Sequence, residues 1–69
     1  MYTVIQGTYH NEEQGSYASY GIQNKERGIL LEDICLNKKA MQGFIDTLNR
    51  NSIFEEDLMI YIEDFLAAY

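Results

Sequence analysis

The single histidine and the single cysteine are the residues of this chain best suited to chemistry. His10 could serve as a general base if a carboxylate oriented its ring, and Glu12 and Glu13 follow two and three residues later. So short a spacing within a polar loop provides no fixed geometry, so His10 reads as a solvated loop residue. Cys35 and His10 would make a nucleophile and its base, but no recognisable sequence surrounds either. A cysteine ending an apolar run reads instead as a small buried hydrophobe. His10, Glu12 and Glu13 lack the second cluster that would complete a metal site. The glycines are scattered and form no phosphate-cradling loop. The expectation is a non-enzymatic protein with no cofactor and no metal.

Length and composition point the same way. Sixty-nine residues make one domain, and below about 70–80 residues a single core supplies only ~3–5 kcal/mol, which leaves little for a deep cleft. With 46% hydrophobic and 13% aromatic residues, the chain is too apolar for a disordered acidic tail. Its net charge is −6, and Lys25, Arg27, Lys38, Lys39 and Arg50 form no cluster that would neutralise phosphates. Direct binding to nucleic acid or to an anionic membrane is therefore disfavoured. The segment from Asn51 to Tyr69 holds Glu55, Glu56, Asp57, Glu63 and Asp64 and no base. No apolar run nears the ~18–20 residues that span a bilayer, and the first residues lack the basic region of a secretory signal. A cytoplasmic location is expected.

The elements follow from the hydrophobic period. Strands are expected at about 2–9, 16–23 and 29–35, separated by polar turns that end in Gly15 and Gly28. In the second, Ala18, Tyr20 and Ile22 alternate with Tyr17, Ser19, Gly21 and Gln23, which predicts one buried face. The first strand, with Tyr2 and Val4 opposing Thr3 and Ile5, leaves its inward face open. The third is interrupted by Glu32 and Asp33. The period then changes to 3.6. Asn37 is placed to cap a helix at about 38–49, with Ala40, Met41, Phe44, Ile45 and Leu48 on one stripe and Gly43 on the other side. Ser52-Ile53-Phe54-Glu55 fits a capping box opening a second helix at about 53–68. On it Phe54, Leu58, Tyr61, Ile62, Phe65, Leu66 and Tyr69 share a broad face. A sheet and two amphipathic helices bury each other best as a two-layer α+β domain, a three-stranded antiparallel β-meander followed by a two-helix hairpin packed on one sheet face (β-β-β-α-α).

Two surfaces are candidates for contact with a partner. The helical wheel places Ile60 amid Glu56, Glu63 and Asp64, an apolar centre with a charged rim like that of an interface. The uncovered sheet face would carry Ile5, Tyr9 and Tyr17, an aromatic surface suited to a homodimer. Most of the six tyrosines are explained by core packing and cross-strand pairing.

Tyr20-Gly21-Ile22, Asp33-Ile34, Asn49 and Glu63-Asp64-Phe65-Leu66 resemble the pattern of a family of small proteins of Gram-positive, clostridia-like bacteria and their mobile elements. Cys35 stands where that pattern often has serine. The resemblance implies a bacterial or phage source and the same order of elements; the family has no established activity, so no catalytic residue carries over. The functional expectation is a small acidic protein-binding module. It would be a stoichiometric inhibitor or modulator of a nucleic-acid-handling or defence protein, of the anti-CRISPR or anti-restriction type, acting through Glu56, Ile60, Glu63 and Asp64. The alternative is a homodimeric bacterial accessory or regulatory protein whose acids confer solubility alone.

Overall fold

A computed structural model of the chain describes residues 1–68. Strands β1 (Thr3–Asn11), β2 (Gly15–Asn24) and β3 (Ile29–Cys35) precede helices α1 (Lys38–Arg50) and α2 (Glu55–Ala68). The strands form one antiparallel sheet in the order β1-β2-β3, so the architecture is the α+β meander and helical hairpin expected. The first turn closes when the Asn11 side chain accepts the Glu13 N–H at 2.8 Å and Gly15 takes a φ of +76°. In the second turn the Asn24 side chain and carbonyl both accept from the Arg27 N–H, and Gly28 stands at φ +67°. Positive φ is the conformation for which both glycines are suited.

Tyr2 and Val4 point toward the helices and Ile5 away from them, which settles the inward face of β1. On β2 the core side is Tyr20 and Ile22, but the alternation does not extend to Ala18, which is exposed. The β1–β2 hairpin runs on past the helices there, so Gln6, Thr8, His10, Ser16 and Ala18 all face solvent. Ser19, expected on the uncovered sheet face, is instead fully buried, its hydroxyl donating to the Cys35 carbonyl at 3.2 Å.

The interruption at Glu32 and Asp33 is a bulge. Between the pairs Ile22↔Leu31 and Tyr20↔Cys35, Gly21 alone opposes Glu32, Asp33 and Ile34, and Asp33 takes a φ of +55°. The bulge presses the Leu31 carbonyl into the space a Cβ on Gly21 would occupy. Only glycine admits so close an approach of two backbones.

Asn37 caps α1 as expected, its side chain accepting the Ala40 N–H at 3.0 Å. Met41, Ile45 and Leu48 on α1 are buried against Tyr2, Ile22 and Cys35. The expected capping box is absent. Ser52 sits at φ +52°, its N–H donates back to the Asn49 carbonyl at 3.3 Å, and the Ile53 N–H donates to the Leu48 carbonyl at 3.1 Å. These two bonds make a Schellman motif that ends α1. Ser52 thus belongs to the first helix's exit, and α2 starts only at Glu55.

The broad apolar face expected for α2 is narrower in the fold. Leu58 and Ile62 are buried, and Phe65 stacks on Phe44 with ring centroids 4.5 Å apart. Phe54, Tyr61 and Leu66 are exposed, because a two-layer domain offers one helix only one direction in which to bury. Tyr69 lies outside the described residues.

Polar contact between sheet and helices converges on Tyr2. The Asn49 carboxamide accepts the Tyr2 N–H at 2.8 Å and donates to the Tyr2 carbonyl at 2.9 Å. The Tyr2 hydroxyl donates to the Ile53 carbonyl at 3.0 Å.

Two glycine substitutions separate space from helix propensity. A Cβ on Gly43 meets nothing within 4 Å, so Gly43→Ala should stabilise by about 0.5–1 kcal/mol, raising Tm by ~4–8 °C per kcal/mol. Gly21→Ala should destabilise by about 2–3 kcal/mol, since backbone must move. Urea and thermal unfolding of the two variants measure both.

Candidate interaction surface

α2 is the element from which the partner-facing residues project. Glu56, Ile60, Glu63 and Asp64 are all exposed, Ile60 to 59% of its surface. Glu56 and Asp64 lie four residues on either side of Ile60, one helical turn away each, so the three form a single stripe. Met59, which the sequence reading did not single out, is also 55% exposed beside them. No basic residue occurs in α2, and among the described residues the one ion pair joins the Met1 amino group to Glu26 at 3.4 Å. The acids of α2 therefore meet solvent without a cationic partner. Glu55, Glu56 and Asp57 are matched by the positive end of the helix dipole; Glu63 and Asp64 lie toward the other end, where a negative charge is unfavourable.

The outer sheet face brings Ile5, Tyr9 and Tyr17 together, as the period of two implied. Tyr9 and Tyr17 are paired in register with ring centroids 5.9 Å apart, and the Tyr17 hydroxyl donates to the Asp33 carboxylate at 2.9 Å. All three residues are half-buried within the one chain. The bulge supplies the cover at Tyr17, because it carries Asp33 over the face to meet the Tyr17 hydroxyl.

His10 and Cys35 are held apart. His10 pairs with Ser16 and Cys35 with Tyr20 on opposite sides of β2, a separation of about 13 Å along that strand alone. Cys35 is buried and free, its sulfur accepting the Asn37 N–H at 3.4 Å. Among the described residues no group of three His, Cys, Asp or Glu side chains could hold a metal ion. Nor is any helix long and apolar enough to cross a membrane.

A groove of about 340 Å³ opens where β1, the β2–β3 turn and the α1–α2 connection meet, lined in part by Tyr2, Arg27, Asn49, Phe54 and Glu55. Its inner polar groups are already engaged, Tyr2 with Ile53 and Asn49 with Tyr2. Phe54 at its rim is 66% exposed. The pair of exposed residues at Phe54 and Met59 was legible only as apolar letters at helical spacing, a signal identical to that of core.

No protein-family model, curated protein or solved structure matches the chain.

Three tyrosines hold their protons above the ordinary value of about 10. For Tyr17 the chief cause is the hydrogen bond to Asp33, followed by burial and the Asp33 charge. For Tyr9 it is burial, then the charges of Glu32 and Asp33; for Tyr2, burial, then Glu55, offset by Arg27. A raised folded-state pKa means the fold prefers the neutral phenol. That stability is full below pH ~10 and falls as pH rises from there through the folded values. The urea midpoint should accordingly drop above pH ~10, and less steeply in Tyr17→Phe; an identical slope in that variant would show that the Tyr17–Asp33 bond does not couple to folding.

Proposed function

We propose that the protein is a non-enzymatic binding module that seats α2 in a Lys/Arg-lined groove of another protein. The observation that carries this reading is the composition of the exposed α2 surface. Ile60 and Met59 lie bare on it among Glu56, Glu63 and Asp64, with no base on the helix to pair the acids. A helix whose apolar residues extend round its circumference is normally covered on more than one side. Here the core takes Leu58 and Ile62 and leaves the remainder to a partner. Apolar anchors with a charged rim divide the work of binding. The anchors govern dissociation once water is excluded, and the rim governs encounter and the choice of partner.

Grooves rich in Lys and Arg serve chiefly to hold nucleic acid. The target class is therefore a nucleic-acid-handling or defence protein, and the mode of action stoichiometric inhibition or modulation, as in anti-CRISPR and anti-restriction proteins. Opposed potentials would speed association and make it sensitive to salt.

The test is retention of proteins from a Gram-positive bacterial lysate on the immobilised chain, with a Glu56→Lys/Glu63→Lys/Asp64→Lys variant beside it. A basic nucleic-acid-handling protein should be held by the parent, released as salt rises, and lost from the variant. With that partner purified, Ile60→Ala should raise the dissociation rate about tenfold, while Glu63→Lys alone should mainly slow association. Full-strength retention by the triple variant contradicts the proposal.

A further inference from the structure

The two edges of the sheet are unlike. At β3 the bulge over Glu32–Ile34, with Asp33 at positive φ and two carboxylates in a row, breaks the edge and charges it. Bulges and charges of this kind are how sheets prevent strand addition. At β1 none of these devices is present. Its nine residues run in unbroken register with β2 from Thr3 to Asn11, and they include no Lys, Arg, Asp, Glu or Pro.

Asn49 shows which way the edge groups point. Its carboxamide takes the Tyr2 N–H and C=O together, just as a neighbouring strand would. Since main-chain groups alternate direction along a strand, the N–H and C=O of Val4, Gln6, Thr8 and His10 point outward on the same side as those of Tyr2. β1 is an edge strand with β2 its one neighbour in the sheet, and among the described residues no turn or cap bond reaches these outward groups. Asn49 thus closes the edge at one end only, and beyond it the ladder is open for most of the length of β1, on the order of 30 Å.

We propose that a second copy of this chain occupies that edge, β1 pairing antiparallel with its twin about Gly7 to make a continuous six-stranded sheet. The sequence of β1 suits itself in this register. On the outer face Ile5 falls opposite the twin's Tyr9 and Tyr9 opposite its Ile5, an aromatic and β-branched pair of the kind that stabilises sheets. On the inner face Gln6 falls opposite Thr8 and Val4 opposite His10, and all of these are residues whose main-chain groups face outward. Gly7 meets Gly7 at the centre, a pair without hydrogen bonds where strands lie closest. The Tyr9 ring of each chain lies against its own Gly7 and lends that position the apolar cover it lacks. The uncharged edge also lets two chains of net charge −6 approach without acid facing acid along the contact.

Sedimentation velocity over a range of concentrations, with light scattering for mass, reads the oligomeric state. The parent chain should be dimeric. Thr8→Pro removes an outward N–H and leaves the β1–β2 ladder its own bonds; Thr8→Lys places a charge at the same point should the proline unfold the strand. Either folded variant should be monomeric by mass, with circular dichroism unchanged. In a Cys35→Ser background, oxidised Gln6→Cys/Thr8→Cys should run as a covalent dimer, because the paired residues lie within disulfide reach. Reversing the α2 charges should leave the dimer intact, so this inference and the α2 reading fail separately. A monomer at every concentration overturns the proposal. So does a dimer that survives both Thr8 substitutions and leaves the cysteines unjoined.

Discussion

The carboxamide of Asn49 is the tie on which the arrangement of the two layers depends. Three hydrogen bonds tie the start of β1 to the end of α1 and the connection after it, all through Tyr2: its N–H and C=O with Asn49 and its hydroxyl with Ile53. The core between the layers is apolar contact, which is strong but does not fix direction. Because Asn49 lies in the last turn of α1, its bonds hold the end of that helix at the start of β1. The Schellman motif that follows then sets the course of the chain into α2. The acids of α2 are thereby presented away from the sheet.

A second constraint acts at the far edge. Gly21 allows the Leu31 carbonyl to press against β2, and the bulge beyond it turns Asp33 toward Tyr17. One missing side chain thus permits a feature that breaks the β3 edge and covers part of the outer sheet face. The sheet is left asymmetric, one edge disrupted and the other regular. A chain of this size has too little core to cover every apolar surface, and α2 leaves Met59, Ile60, Tyr61 and Leu66 bare, while Met1, Leu30, Leu36 and Phe54 are bare elsewhere.

Much of this was legible in the residues. The period of two, the glycine-ended turns and Asn37 before an amphipathic stripe give strands, hairpins and α1 to within about two residues. His10 and Asn11, expected in the first turn, belong instead to β1, where cross-strand pairing extends the ladder to the Gly15 turn. The acid pair at Glu32 and Asp33 marked the bulge as an interruption of β3. Ser52 misled, because a serine three residues before a glutamate has the letters of a capping box whether or not its backbone is free to form one. Here the exit of α1 claims that backbone first. Ala18 and Ser19 misled for a different reason. Alternation tells which residues share a face, whereas burial depends on how far the helices reach along the hairpin, and that is set by tertiary packing. The same limit applies to Phe54, Tyr61 and Leu66, which sit at core spacing on a helix with only one buried side. Gly21 and Asn49 were legible only as members of a strand alternation and a helix end, since neither the close approach of the Leu31 carbonyl nor the bonds to Tyr2 leave a mark on the local pattern.

The most direct test of this account is the stability of Asn49→Ala by urea unfolding. The variant leaves the Tyr2 N–H and C=O without protein partners in a partly buried position, and an unsatisfied group of that kind costs about 1–3 kcal/mol. A loss of about 2–3 kcal/mol is therefore predicted, a large share of what so small a core can supply. A change within ~0.5 kcal/mol, the ordinary effect of a surface substitution, would show that apolar packing alone sets the two layers and would contradict the account.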